Sequence, residues 1–144
     1  NEYLQEVPQG QQAVFLLIDL DNFKNLNDSL GHLAGDQALV DVANVLKNSF
    51  CDDAIISRFR GDEFVVFVKN IQDIKIFNRL ISRLLQQLDL YYQSEKDQIN
   101  IQASIGIALA PIDGRDMNTL YLKADKALYQ AKEDGKNRYK YYNN

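Results

Sequence analysis

Ala13-Val14-Phe15-Leu16-Leu17-Ile18-Asp19-Leu20-Asp21 is the stretch on which the fold turns. Its apolar part has no polar/apolar alternation, so Ala13 to Asp19 predicts a central strand covered on both faces and ending in a carboxylate. Asp21 then stands where a residue could cap a short helix over roughly Asn22 to Leu30, and the Gly31-His32 and Gly35-Asp36 pairs break and restart the chain.

From Asp36 onward Leu39, Val42, Ala43, Leu46 and Phe50 recur at helical spacing. Ala54 to Phe59 and Glu63 to Val68 are two strand-like runs joined across Arg60-Gly61-Asp62, the spacing of a tight hairpin. A second amphipathic helix follows Asp73, with Phe77, Leu80, Ile81, Leu84, Leu85 and Leu88 on its stripe. Ile99 to Leu109 alternates as a strand with one face on the core. A last helix is expected from about Asp116 to Glu133, stopped by Gly135, with a final edge strand over Arg138 to Tyr142. This order predicts an α+β sandwich, helices packed on a mixed or antiparallel sheet of about five strands.

The bulk properties bound the function. The 144 residues, 46% hydrophobic, suffice for one core, so a single domain over 1–144 is expected. One cysteine, Cys51, and one histidine, His32, allow neither a disulfide framework nor a structural zinc site, which points to a reducing, cytoplasmic setting. A net charge of −4 argues against a surface that generally attracts nucleic acid. The longest apolar runs are far below the ~20 residues of a membrane span, and Asn1 to Gln12 do not read as a signal peptide. No direct membrane contact is expected of this domain, although a full-length protein could carry an anchor.

The chemistry concentrates where strands end. Asp19-Leu20-Asp21 closes one buried strand and Asp62-Glu63 opens another. If the two strands are neighbours, four carboxylates crowd together, and a cation is the economical way to offset their repulsion. Oxygen ligands without sulfur or imidazole favour magnesium or manganese. The plainer reading is that Asp21 caps a helix and the hairpin carboxylates are merely solvated. Asn27 and Asp36 carry the donors and acceptors that would read a polar ring, a guanine edge among them, and they equally suit helix ends. Lys132 and Lys136 could grip phosphates or simply answer the dipole of the last helix.

Taken together these pieces resemble, in order, the GGDEF family, the catalytic domains of diguanylate cyclases. The carrying motifs are Asp19-Leu20-Asp21, Phe23-Lys24, Asn27-Asp28, Gly31-His32, Gly35-Asp36 and a signature written Arg60-Gly61-Asp62-Glu63-Phe64. Ser104-Ile105-Gly106 and Ala124-Asp125 through Asn137-Arg138 complete the set, so the match runs from about Val14 to Tyr139. The resemblance implies a cyclase-like, palm-related fold akin to ferredoxin-like sandwiches. It implies that two GTP molecules are condensed to cyclic di-GMP and pyrophosphate in a homodimer, under an upstream sensor domain. By position, Asp19, the Leu20 carbonyl and Asp62 match the sites holding magnesium or manganese, and Asp62, with Glu63 beside it, matches the catalytic position. Asn27, His32 and Asp36 match nucleotide contacts, and Lys24, Lys132 and Lys136 match basic positions near the phosphates.

Three departures qualify the resemblance. Arg60 replaces the signature's opening glycine; it would cost ~1 kcal/mol if that turn needs positive φ. Its guanidinium either blocks the second nucleotide or clasps a phosphate with paired hydrogen bonds. The family's Arg-x-x-Asp product-inhibition motif falls on Cys51-Asp52-Asp53-Ala54, so no product feedback through that site is expected. The family's opening turn and most of its first helix are missing, Asn1 to Glu6 matching that helix's tail. Two other readings compete with an active cyclase: a regulatory domain that binds GTP or cyclic di-GMP without turnover, and an interaction domain that binds no nucleotide.

Overall fold

The computed structural model describes residues 12–50 and 54–143. Asn1 to Glu6 and Cys51 to Asp53, the positions read for the first helix and the inhibition motif, lie outside them.

The elements run β1 (Gln12–Asp21), α1 (Phe23–Leu30), α2 (His32–Ser49), β2 (Ala54–Arg60), β3 (Glu63–Ile71), α3 (Ile74–Gln87), β4 (Leu90–Gln93), β5 (Gln98–Ala110), α4 (Met117–Glu133) and β6 (Tyr139–Tyr141). Six strands form one sheet in the order β2-β3-β1-β5-β4, with β6 paired parallel to β5 and the other pairs antiparallel. β1 is the central strand, as its unbroken apolar run predicts, and Ala13 to Asp21 are all buried.

Successive side chains of a strand point to opposite faces, so β1 divides the core in two. Val14, Leu16, Ile18 and Leu20 join the larger cluster, with Leu26, Val42, Leu46, Ile81 and Leu84 of α1, α2 and α3. Ala13, Phe15 and Leu17 join the smaller one, under Leu120, Ala124 and Leu128 of α4. Asp19 and Asp21 continue the second series and therefore emerge on the α4 side.

Four sequence expectations need correction. The alternation of Ile99 to Leu109 predicts one buried face, but β5 is covered on both, because its small series, Ser104, Gly106, Ala108 and Ala110, lies beneath α4. Gly35-Asp36 does not restart the chain: α2 begins at His32, and only Gly31, at φ +93°, breaks the helical path. The sheet has six strands rather than about five, since the short Leu90–Gln93 pairs with β5. Finally, Asp21 does not cap α1. The cap position is Asn22, itself left-handed at φ 75°, and no side chain caps that helix. Arg60 is not among the residues with positive φ, so the strain envisaged for a non-glycine residue there does not arise.

Gly106 sets how closely α4 approaches the sheet. A Cβ added there would sit 2.0 Å from the carbonyl oxygen of Ala124 and 2.5 Å from the Leu128 nitrogen. The obstacles are helix backbone, which cannot turn aside as a side chain can. Gly106→Ala is therefore expected to destabilise the protein by about 2–3 kcal/mol. Urea unfolding measures this, and an unchanged midpoint would show that α4 rides higher than described.

Candidate active site

The β1/β3 ladder brings the two acidic motifs together. Asp19 pairs with Glu63 in register, and the Leu20 N–H donates to the Asp62 carbonyl at 3.1 Å, closing the ladder at the hairpin turn. Asp19 is buried, and its Oδ1 has no hydrogen-bond partner; Oε1 of Glu63 is likewise buried and unpartnered. Burial, and then the Asp19 charge, push the carboxyl pKa values of both Asp62 and Glu63 up. Desolvation raises Asp21 as well, against the opposing hydrogen bond from Ser104. Like charges share a poorly solvated corner, and the fold alone does not satisfy them.

Lys132, in the last turn of α4, supplies part of the counter-charge by an ion pair with Oδ2 of Asp19. Burial opposes its ammonium, but the Asp19 hydrogen bond and the fields of Asp19, Asp21 and Asp62 prevail, so its pKa is raised. One lysine leaves Asp19 Oδ1 free. Asp19, Asp62 and Leu20 border one groove and could offer only oxygen donors to an ion, the ligand type that magnesium or manganese takes. Among the described residues no three His, Cys, Asp or Glu side chains gather at ligand spacing. Such an ion would therefore complete its shell with waters and substrate oxygens, as magnesium ordinarily does.

These groups line an open groove of about 460 Å³ that also receives Lys24, Lys136 and the start of α1. The first i→i−4 bond of α1 runs from Leu26 to Asn22, so the preceding N–H groups of its first turn have no acceptor within the helix. With no side-chain cap and no acidic residue in that turn, the helix presents a donor-rich, partly positive end to the groove. Sequence reasoning missed this feature because it assigned Asp21 as the cap. The side chain that diverts Asp21 is 83 residues away: Ser104 Oγ donates to its Oδ2 at 2.7 Å.

Other anticipated contacts are distributed more widely. Asn27 lies against the start of α2: a Cβ on Gly35 would be 1.8 Å from its Oδ1, so that position must be glycine while the amide keeps its place. Asp36 borders a separate groove of about 380 Å³ walled by Leu39, Ala43, Ile56 and Phe64. His32 is exposed and lines neither groove. Arg60 is exposed, with its guanidinium carbon 5.5 Å from the centre of the Phe59 ring, and its charge lowers the Glu63 pKa against the dominant burial. It does not line the carboxylate groove. Gly61 would meet no atom of the protein within 4 Å if it carried a Cβ, so the space above the turn is open.

A groove joining paired carboxylates to lysines and a free helix N-terminus suits a metal-bound polyphosphate. The family model "Diguanylate cyclase, GGDEF domain" matches residues 1–138. The chain is 35% identical, over 96% of its length, to the bifunctional diguanylate cyclase/cyclic di-GMP phosphodiesterase MucR of Pseudomonas aeruginosa, of which it spans 20%. It is also 35% identical, over 85% of its length, to diguanylate cyclase A of Treponema denticola, of which it spans 33%. It thus covers only a fifth to a third of these curated relatives. Among solved structures, the GGDEF domain of YfiN (TpbB) from Pseudomonas aeruginosa superposes with a TM-score of 0.88 at 28% identity, covering 99% of this chain and 90% of that one.

The carboxylate crowding has a measurable sign. A carboxyl whose folded pKa is raised opposes folding once it ionises, so Asp62→Asn should stabilise the metal-free protein at neutral pH. The gain is about 1 kcal/mol, the scale of one like-charge contact in a water-like dielectric, or a few degrees in Tm. It should shrink as pH falls through the raised pKa of Asp62 and disappear below the ordinary carboxylate range, where Asp62 is protonated folded and unfolded alike. Magnesium should raise the Tm of the wild type and not that of Asp62→Asn. Thermal melts in chelator and in magnesium test both, and a variant less stable in chelator would refute the repulsion.

Proposed function

This chain belongs to the diguanylate cyclase GGDEF-domain family, and on that premise we propose that it condenses two GTP molecules into cyclic di-GMP. The observation that carries this reading is the buried, unpartnered Asp19 oxygen facing Asp62 in a groove that also holds three lysines. In each half-reaction the 3′-hydroxyl of one GTP attacks the α-phosphorus of the other, the α–β phosphoanhydride bond breaks, and pyrophosphate leaves. Two such steps give the cyclic dinucleotide and two pyrophosphates.

Asp19, Asp62 and the Leu20 carbonyl would hold a magnesium or manganese ion. When bound, that ion neutralises charge growing on the phosphoryl oxygens and favours ionisation of the hydroxyl. Asp62, with its raised pKa and Glu63 beside it, is the group to take the hydroxyl proton. Lys132, which pairs with Asp19 at the edge of the groove, would bind the phosphates together with Lys24, Lys136 and the N–H groups opening α1. Asn27, His32 and Asp36 are assigned to the guanine end of the nucleotide. Each domain holds one GTP, so a homodimer brings two grooves face to face, and catalysis becomes a matter of positioning. A sensor domain elsewhere in a longer protein would set how often two domains meet.

A non-catalytic, nucleotide-binding role is the second reading, favoured by Arg60 in the signature. Two observations weigh against Arg60 as a block: it stacks beside Phe59, and it stays out of the carboxylate groove. An artificially dimerised protein is therefore expected to make cyclic di-GMP from GTP and magnesium. Arg60→Gly should change that rate by less than about tenfold, and Asp19→Asn should lower it at least a hundredfold, the loss expected when charge on a transferring phosphoryl group goes unanswered. Chromatographic product analysis decides: GTP bound without product in wild type, restored by Arg60→Gly, would reject the enzyme reading and identify Arg60 as its brake.

A further inference from the structure

Three polar side chains are buried among the described residues, Asp19, Asp21 and Ser104, and all three stand at this one end of the sheet. Asp19 has an unpartnered oxygen, but Asp21 is engaged. Its Oδ2 accepts from Ser104 Oγ at 2.7 Å and from the backbone N–H of Asn137 at 3.3 Å. That second partner lies in the loop that leaves α4 and carries Lys136 into the groove.

The loop needs more support than a helix terminus normally requires. Gly135, at φ +124°, ends α4 in a familiar way: its N–H donates to the Lys132 carbonyl at 3.2 Å, and the Lys136 N–H to the Ala131 carbonyl at 3.0 Å. Such an ending explains the glycine alone. Here the chain stays left-handed for two further residues, Lys136 at φ 64° and Asn137 at φ 50°. Lysine adopts this conformation only against a steric penalty, so something must hold it there. Beyond the loop, the Ile105 N–H donates to the Arg138 carbonyl at 2.9 Å and starts the β5/β6 pairing. Between those two anchors the Lys136 carbonyl accepts from Arg138 Nε at 3.0 Å, a bond internal to the loop, and the hydrogen bond received by Asp21 ties Asn137 to the end of β1.

We propose that Asp21 is a positioning residue, oriented by Ser104, that clamps the Gly135–Asn137 loop to the end of β1 and so aims Lys136 across the groove. The sequence Asp19-Leu20-Asp21 then divides into two tasks. Asp19 keeps an oxygen free for a cation, while the next carboxylate on the same face fixes the backbone that carries a phosphate-binding lysine. Asp21 does not cap α1, whose N-terminus stays open to the same groove. The aiming of Lys136 at phosphate rests on the proposed function; the clamp does not.

The test compares wild type, Asp21→Ala, Asp21→Asn and Ser104→Ala. An asparagine oxygen can accept both hydrogen bonds without the charge, so Asp21→Asn should behave as a rescue. Affinity is measured with magnesium and a GTP analogue whose α,β bridge cannot be cleaved. Hydrogen exchange of the Asn137 amide is followed without nucleotide. Asp21→Ala should weaken analogue binding about tenfold, the scale of one hydrogen bond to a charged group, and speed Asn137 exchange at least tenfold. Asp21→Asn should stay within threefold of wild type in both. In a Lys136→Ala background, Asp21→Ala should add no further loss, because residues acting through one another are not additive.

Should Asp21→Ala fail to fold, Ser104→Ala serves in its place, with faster Asn137 exchange expected. Additive losses, or Asp21→Asn as damaging as Asp21→Ala, would overturn the proposal in favour of a direct charge role. If wild type binds no analogue, the proposed function fails, and the exchange data alone decide the clamp: an Asn137 amide unaffected by Asp21→Ala would end it.

Discussion

Like charge held at the end of a buried strand is the constraint on which the rest of this structure depends. Asp19 follows six apolar residues of the central strand, and its register with Glu63 obliges carboxylates to meet away from bulk water. Such a corner is unfavourable by itself, and the raised pKa values of Asp62 and Glu63 express that. The fold answers with one lysine and leaves an oxygen over. A corner built so would gain stability from a cation, because positive charge offsets the carboxylate repulsion that the protein alone leaves unmet.

Lys132 and Lys136 reach this corner because β5 is made of small residues on one side. Ser104, Gly106, Ala108 and Ala110 form a shallow track beneath α4, and Gly106 permits backbone to touch backbone. A helix seated so low ends with Lys132 over Asp19 and sends the chain through the Lys136 loop into β6. Packing thus sets the electrostatics: the spacing between helix and sheet fixes where the positive charges stand relative to the carboxylates.

Several features were legible in the residues themselves. The uninterrupted run before Asp19 identified the central strand. The two strand-like runs around Gly61 identified the hairpin, and Asp73 and Asp116 mark the starts of α3 and α4, where their side chains accept backbone N–H bonds. Other features were misread for reasons that local pattern cannot overcome. The alternation in β5 looked like one buried face because alanine, serine and glycine resemble surface residues until a helix is laid over them. Gly35 looked like a break, yet it lies within α2 to make room for Asn27. Leu90–Gln93 is four residues long and becomes a strand only by pairing with β5.

The sequence by itself determined the chemistry on offer: which strand is central, that carboxylates close it, that a hairpin brings more, and that the motifs follow the order of a nucleotide-condensing family. These depend on period, on residue type and on short-range turns, all written along one dimension. Only the tertiary structure decided how the two carboxylates of β1 differ. Asp19 and Asp21 are equivalent in strand periodicity, and they part because Lys132 reaches one from 113 residues away while Ser104 and Asn137 engage the other. Hydrogen-bond partners so distant in the chain are chosen by helix packing and strand register, quantities that no local window contains.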